Sequence, residues 1–166
     1  MLALSMIAGT SSAVFAAENT TAEMADASDV DGTTISFWHS MGGVNGEALD
    51  TLVKQFTEEN GYGITVDAQY QGEYDDSLNK LKSAQIGNMG ADLVQVYEIG
   101  TRFMIDSGWI VPMQEMIDGD GYDLSQIEPN LAAYYTIDNE LYSMPFNPST
   151  PILYYNTDMF AKAGIT

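Results

Sequence analysis

The chain has 166 residues, five Lys and Arg against 24 Asp and Glu, a formal net charge of −19, and no cysteine. An apolar share of 45% and an aromatic share of 11% exclude collagenous, coiled-coil and wholly disordered chains. The missing cysteine excludes disulfides and thiolate zinc sites, and the five scattered cations (Lys54, Lys80, Lys82, Arg102, Lys162) make nucleic acid an unexpected partner.

Residues 1–17 are apolar, uncharged and rich in small side chains. The endings Val14-Phe15-Ala16 and Phe15-Ala16-Ala17 suit a signal-peptidase cut, so this stretch is expected to be a signal peptide. No Lys or Arg precedes residue 54, so the basic start of the signal is expected upstream; no lipobox Cys follows. Residues 18–31 carry five acidic side chains and no basic one, and read as a solvated spacer.

From residue 32 the pattern alternates. Residues 33–38 are β-rich and predict strand one. Gly42-Gly43 marks a turn. Leu49, Leu52, Val53 and Phe56 fall at i, i+3, i+4 and i+7, which predicts a helix over 46–59 that ends at Asn60-Gly61. Ile64, Val66, Ala68 and Tyr70 alternate as strand two. A second helix over 74–87 presents Leu78, Leu81 and Ile86. Strand three is expected over 92–97 and a short helix over 100–107. Strand starts recur at roughly 28 residues, as right-handed crossovers in a parallel sheet require. Ligands of such sheets bind beyond the carboxyl ends of the strands, so 39–45, 71–74 and 98–101 are the candidate site loops.

Beyond Pro112 the rhythm changes. Residues 113–118 predict a short helix and 118–121 an acidic loop. Residues 130–135 and 141–144 flank the polar Asp138-Asn139-Glu140 and predict a hairpin. Ile152 to Tyr155 is a continuous apolar run, the pattern of a strand buried on both faces. Thr157 is a candidate cap for a last helix, with Gly164 at its end.

Catalytic patterns are poor. There is no Gly-x-Ser-x-Gly, and the one histidine, His39, reads as a polar strand-end residue oriented by nearby backbone. Gly61-Tyr62-Gly63 lacks a third glycine and lies between helix and strand, so it is a helix stop and not a phosphate loop. Asp118, Asp120 and Glu128 resemble calcium ligands, but Asp123 replaces the required Gly and Pro129 holds the last ligand position. Asp75-Asp76 and Glu58-Glu59 read as surface charge. Tyr74 opens a helix at a candidate loop, and its position suits core packing and ligand stacking equally. Glu98, just past strand three, has equal claim to surface charge and to accepting ligand hydroxyls. No cofactor or metal is expected.

Three stretches carry a resemblance: Ile35-Ser36-Phe37-Trp38-His39-Ser40-Met41, Leu93 to Gly100, and Pro145-Phe146-Asn147-Pro148-Ser149-Thr150-Pro151 through Asn156. Together they resemble the extracellular solute-binding proteins of ABC importers, the maltose-type family, in its glycerol-3-phosphate-binding branch. The resemblance implies an α/β fold of the periplasmic-binding-protein type, with two lobes closing on a ligand, and a chain more than twice as long as this one. Lobe one would span 32–150, and 151–166 would begin the crossover to lobe two. It implies a binding protein and no enzyme, exported to the periplasm or cell exterior and monomeric, passing glycerol-3-phosphate, a glycerophosphodiester or a sugar to importer permease subunits. Tyr74, Glu98 and Ser149 match family ligand contacts: a tyrosine, a carboxylate taking glycerol hydroxyls, and a serine donating its hydroxyl. Pro148 stands where the resemblance leads to Ser and removes a backbone donor beside Ser149. An accessory lobe of an exported hydrolase is the alternative from another class.

Overall fold

The computed structural model describes residues 30–87 and 89–165. The expected signal segment, 1–17, and the spacer up to residue 29 lie outside the described residues.

Strand β1, Thr34–His39, is the centre of the fold. It pairs in parallel with β2, Thr65–Tyr70, along its whole length. On its other side it pairs in parallel with β3, Leu93–Val94, giving the order β2-β1-β3. The expected parallel sheet is therefore present. Alternation decides what it buries: Phe37 and His39 point to one face, with ring centroids 5.6 Å apart.

Helix α1, Gly43–Glu59, lies on that sheet. Its Leu49 joins Phe37 and Met41 in a small core, with Val53, Val66, Ala68 and Tyr74 packed against it. The helix begins three residues before the expected start, behind Gly42 in extended conformation. Only half of the expected apolar stripe is covered. Leu49 is buried, whereas Leu52 and Phe56 remain exposed, because the three-stranded sheet reaches one side of the stripe only. Asn60 ends the helix as expected: its side-chain amide donates to the carbonyls of Phe56 (2.8 Å) and Ile64 (2.8 Å) and accepts from Tyr62 N–H (2.8 Å). Gly61 and Gly63, both left-handed at φ +72 and +71, carry the chain into β2.

Helix α2, Tyr74–Ile86, buries Leu81 and Ser77; Ile86, expected on the apolar face, is fully solvent-facing in its last turn. Helix α3, Glu98–Ser107, starts directly after the expected end of strand three, two residues before the expected helix start at 100, and stops at Gly108 in a left-handed cap. Gly100 makes room for Val96 in the turn before α3: a Cβ there would lie 2.6 Å from Val96, and 3.4 Å from Leu78 of α2.

β3 is four residues shorter than the expected 92–97 because side chains replace ladder bonds at both ends. The Asp92 carboxylate accepts from the Ser36 backbone N–H (2.8 Å) and hydroxyl (2.6 Å). These bonds hold its carboxyl below the ordinary carboxylate range. At the other end Gln95 Oε1 accepts from Ser40 N–H at 2.8 Å.

Helix α4, Met113–Asp120, runs through Asp118 and Asp120 to a left-handed Gly121, so the expected acidic loop is instead the end of a helix. A 3-10 turn, Leu124–Gln126, follows. The expected hairpin is half right. Its first arm, 130–135, is largely helix α5, Pro129–Tyr134, with proline at the first helical position, where its missing N–H is harmless. The hairpin itself is smaller: β4, Thr136–Ile137, against β5, Glu140–Leu141. Its turn is Asp138-Asn139, both left-handed at φ 52 and 68, as a two-residue hairpin turn demands.

After the hairpin no regular element forms until α6, Thr157–Lys162. The expected buried strand at 152–155 is absent. These residues form no ladder and are exposed, because none of the described segments supplies a strand edge or a face against them. The cap of α6 is Asn156 and not Thr157; the Asn156 side chain accepts from Met159 N–H at 3.0 Å.

Candidate functional site

The carboxyl ends of β1, β2 and β3 open toward one cluster of polar and aromatic side chains. Tyr74 is the first residue of α2, directly after the loop that leaves β2. Its ring stacks on Tyr97 with centroids 5.5 Å apart and planes 12° apart. Tyr97 in turn caps the amino end of α3, and its hydroxyl donates to Asp75. That bond raises the Tyr97 phenol above its ordinary value, with desolvation adding to it. Two tyrosine rings are thus fixed face to face by two helix starts.

A line of amides joins these rings to the far segment of the chain. Ser40 N–H donates to Gln95 Oε1 (2.8 Å), and Gln95 Nε2 donates to Asn147 Oδ1 (2.8 Å). Asn147 Nδ2 donates to the Tyr74 hydroxyl (3.2 Å) and lies 3.5 Å from the Met41 sulfur. The cluster therefore draws on the exits of β1 (Ser40, Met41) and β3 (Gln95, Tyr97), the start of α2 (Tyr74), and the irregular stretch after the hairpin (Asn147).

Of the three expected contacts, Tyr74 stands inside this cluster. Glu98 is next to Tyr97, exposed in the first turn of α3, where the helix dipole favours a carboxylate. Its charge also reaches Tyr135, whose phenol is raised mainly by burial, then by Tyr134 and Glu98. Ser149 is exposed two residues beyond Asn147, in chain without regular structure. Hydrogen bonds thus tie Tyr74 into the cluster, while Glu98 and Ser149 sit beside cluster members without bonding to them.

His39 behaves as the sequence suggests. It is buried, and its Nδ1 accepts from Met41 N–H at 3.2 Å, which leaves the proton of the neutral ring on Nε2. Burial lowers its pKa, with Asp50 opposing. Among the described residues no group of three His, Cys, Asp or Glu side chains is placed to hold a metal ion. A shallow depression of about 540 Å³ lies beside the cluster, lined by Gln71, Gly72, Asp76, Asn79, Lys80 and Ser83.

Gln95, Tyr97 and Asn147 fall within the stretches that carry the resemblance but were not expected as site residues. Gln95 and Tyr97 lie in a stretch that reads as strand, and Asn147 lies between two prolines in a segment with no helix or strand pattern. The partners of Gln95 and Asn147 are 52 to 73 residues away, and Tyr97 bonds Asp75 at a separation of 22, distances along the chain that no local pattern reports.

Comparison with known proteins bears on the same residues. A family model for bacterial extracellular solute-binding proteins matches residues 51–166. The sn-glycerol-3-phosphate-binding periplasmic protein UgpB of Salmonella typhimurium is 43% identical over 139 residues, covering 80% of this chain and 31% of the relative. Its Escherichia coli counterpart is 42% identical over the same coverage. The chain spans 31% of the length of these curated relatives. Among solved structures, UgpB from Mycobacterium tuberculosis in complex with glycerophosphocholine superposes with a TM-score of 0.68 at 26% identity, covering 80% of this chain and 34% of that one. An ABC substrate-binding protein from Listeria monocytogenes in complex with cycloalternan shares the fold, with a TM-score of 0.56 at 24% identity over 82% of this chain and 34% of that one.

Proposed function

Because the chain belongs to the bacterial extracellular solute-binding protein family, we propose that it forms part of the ligand-capturing component of an ABC uptake system, taking glycerol-3-phosphate or a glycerophosphodiester. The observation that carries this reading is the 43% identity, over 139 residues, to a protein named for binding glycerol-3-phosphate. The structural likeness to a relative holding glycerophosphocholine supports it.

In this reading the protein is exported and hands its ligand to permease subunits at the membrane. Residues 32–150 supply most of one lobe and 151–166 begin the crossover to a second. Tyr74, Glu98 and Ser149 are the contacts this part of the chain contributes. Glu98 accepts hydrogen bonds from glycerol hydroxyls, a task that suits an exposed carboxylate. The chain is strongly acidic, so its bulk field opposes an anionic ligand, and capture depends on local donors. Binding and not catalysis is the proposed activity.

A sugar ligand is the second reading. The Tyr74–Tyr97 stack favours it, since a flat aromatic surface suits the apolar face of a sugar ring. Calorimetry on the full-length protein separates the two. We expect 1:1 binding of glycerol-3-phosphate or glycerophosphocholine; heat with maltodextrins alone would replace the first reading by the second.

A further inference from the structure

The line of amides from Ser40 to Tyr74 has a direction, and its first member sets it. A backbone N–H can only donate. Ser40 N–H therefore requires the oxygen of the Gln95 amide at 2.8 Å, which turns the Gln95 NH₂ toward Asn147. A donor there requires the oxygen of Asn147, which turns the Asn147 NH₂ toward the Tyr74 hydroxyl. No amide in the line is free to flip without setting two donors or two acceptors against each other.

The consequence falls on Tyr74. A phenol proton lies in the plane of its ring, so the hydroxyl has two in-plane directions. Asn147 Nδ2 donates to the oxygen at 3.2 Å, so the tyrosine's own proton takes the direction away from Asn147. The Tyr97 ring, stacked 12° from parallel, holds the plane in which this happens. Tyr97 cannot serve the same purpose, because its hydroxyl is already committed to Asp75.

We propose that Gln95 and Asn147 are positioning residues that transmit the polarity of the Ser40 N–H to Tyr74, making its hydroxyl a fixed hydrogen-bond donor toward a ligand oxygen. This rests on the reading of Tyr74 as a ligand contact. The favoured partner is an acceptor-only oxygen, such as that of a phosphate ester, and an ammonium or amide N–H is disfavoured at that point. It also explains how an acidic chain offers an anion a local donor.

The polarity can be reversed at a distance. Gln95→Glu keeps an acceptor for Ser40 N–H but presents a second acceptor to Asn147. The Asn147 amide then turns over, its oxygen faces Tyr74, and the tyrosine proton turns inward. Asn147→Asp does the same in one step. In the full-length protein, either variant is expected to weaken glycerol-3-phosphate binding by about 10- to 100-fold, the range of a donor turned into a repelled acceptor. In a Tyr74→Phe background the same changes should weaken it at least about fivefold less, since direct repulsion by the new carboxylate is common to both backgrounds. Equal losses in the two backgrounds overturn the proposal.

A second measurement needs no ligand. The intensity ratio of the tyrosine Fermi doublet in Raman spectra distinguishes a donating from an accepting phenol. Taken as a difference against Tyr74→Phe, the ratio should shift toward the value of a donating phenol in Gln95→Glu, with the thermal midpoint checking that the fold is kept. An unchanged ratio in the folded variant refutes the relay. If the unmodified protein gives no heat with glycerol-3-phosphate but the ratio shifts, the ligand assignment fails and the relay stands.

Discussion

Phe37 and Leu153 are both large apolar residues within apolar runs, and they end in opposite environments. Phe37 is 7% exposed and Leu153 is 82% exposed. The difference lies in their neighbours. Phe37 sits on a strand with a partner on each side, and α1 covers its face with Leu49 and Val53. The run 152–155 has neither a ladder nor a covering face among the described residues. An apolar tetrapeptide is thus a strand only where another segment offers hydrogen bonds to its backbone. Hydrophobicity decides which face such a strand buries, and pairing decides whether it exists.

The strongest way to break this contrast is to truncate one apolar side chain in each region. Leu81, 1% exposed on α2, should cost about 2–5 kcal/mol when changed to Ala, the range for a buried leucine that leaves a cavity. Leu153→Ala in this 166-residue chain should cost under about 0.5 kcal/mol, as a surface change does. Urea denaturation of the two variants measures both. A large loss at Leu153 would mean that the run is packed after all. If 151–166 is the crossover we propose, Leu153→Ala should become costly in the full-length protein while Leu81→Ala stays as it is.

A middle-sized effect probes the packing of Val96 against the first turn of α3. Gly100→Ala places a methyl 2.6 Å from Val96, so a helix must shift or a rotamer must change. Overpacking of this kind costs about 1–3 kcal/mol. Glycine inside a helix is otherwise weaker than alanine by about 1 kcal/mol, so a substitution free of steric conflict would stabilise the protein. The sign of the change in denaturation midpoint therefore reports whether Val96 packs over Gly100 as closely as described.

The order of elements to residue 107 was legible because its causes are local. The i, i+3, i+4, i+7 spacing of α1, the stop at Asn60-Gly61 and the alternation of β2 need no knowledge of distant chain. The shortness of β3 was hidden, because it depends on Ser36 and Ser40 taking side chains 55 or 56 residues away in place of backbone. The first hairpin arm misled for a related reason: residues 130–135 are apolar enough for a strand, but Pro129 starts a helix there. The site divides in the same way. Tyr74 could be picked out by its place at a strand exit, whereas Asn147 acquires its role only when the chain folds back on Gln95.

His39 gives the smallest effect, and it tests the covered side of the contrast. Burial disfavours the charged imidazolium, so its pKa in the fold lies below the ordinary value of 6.5. Above the ordinary value the ring is neutral in both folded and unfolded chains and makes no pH-dependent contribution. As pH falls through that value the unfolded chain takes up a proton that the folded chain still refuses, so stability drops. The drop continues to the folded pKa and then levels off. Stability from urea titrations between about pH 8 and about pH 5 should therefore fall, and His39→Gln should flatten the fall. Asp50 pulls the pKa the other way, so Asp50→Asn should steepen it. A profile unaffected by either substitution would show that water reaches the ring, and that the carboxyl end of β1 is as open as the run around Leu153.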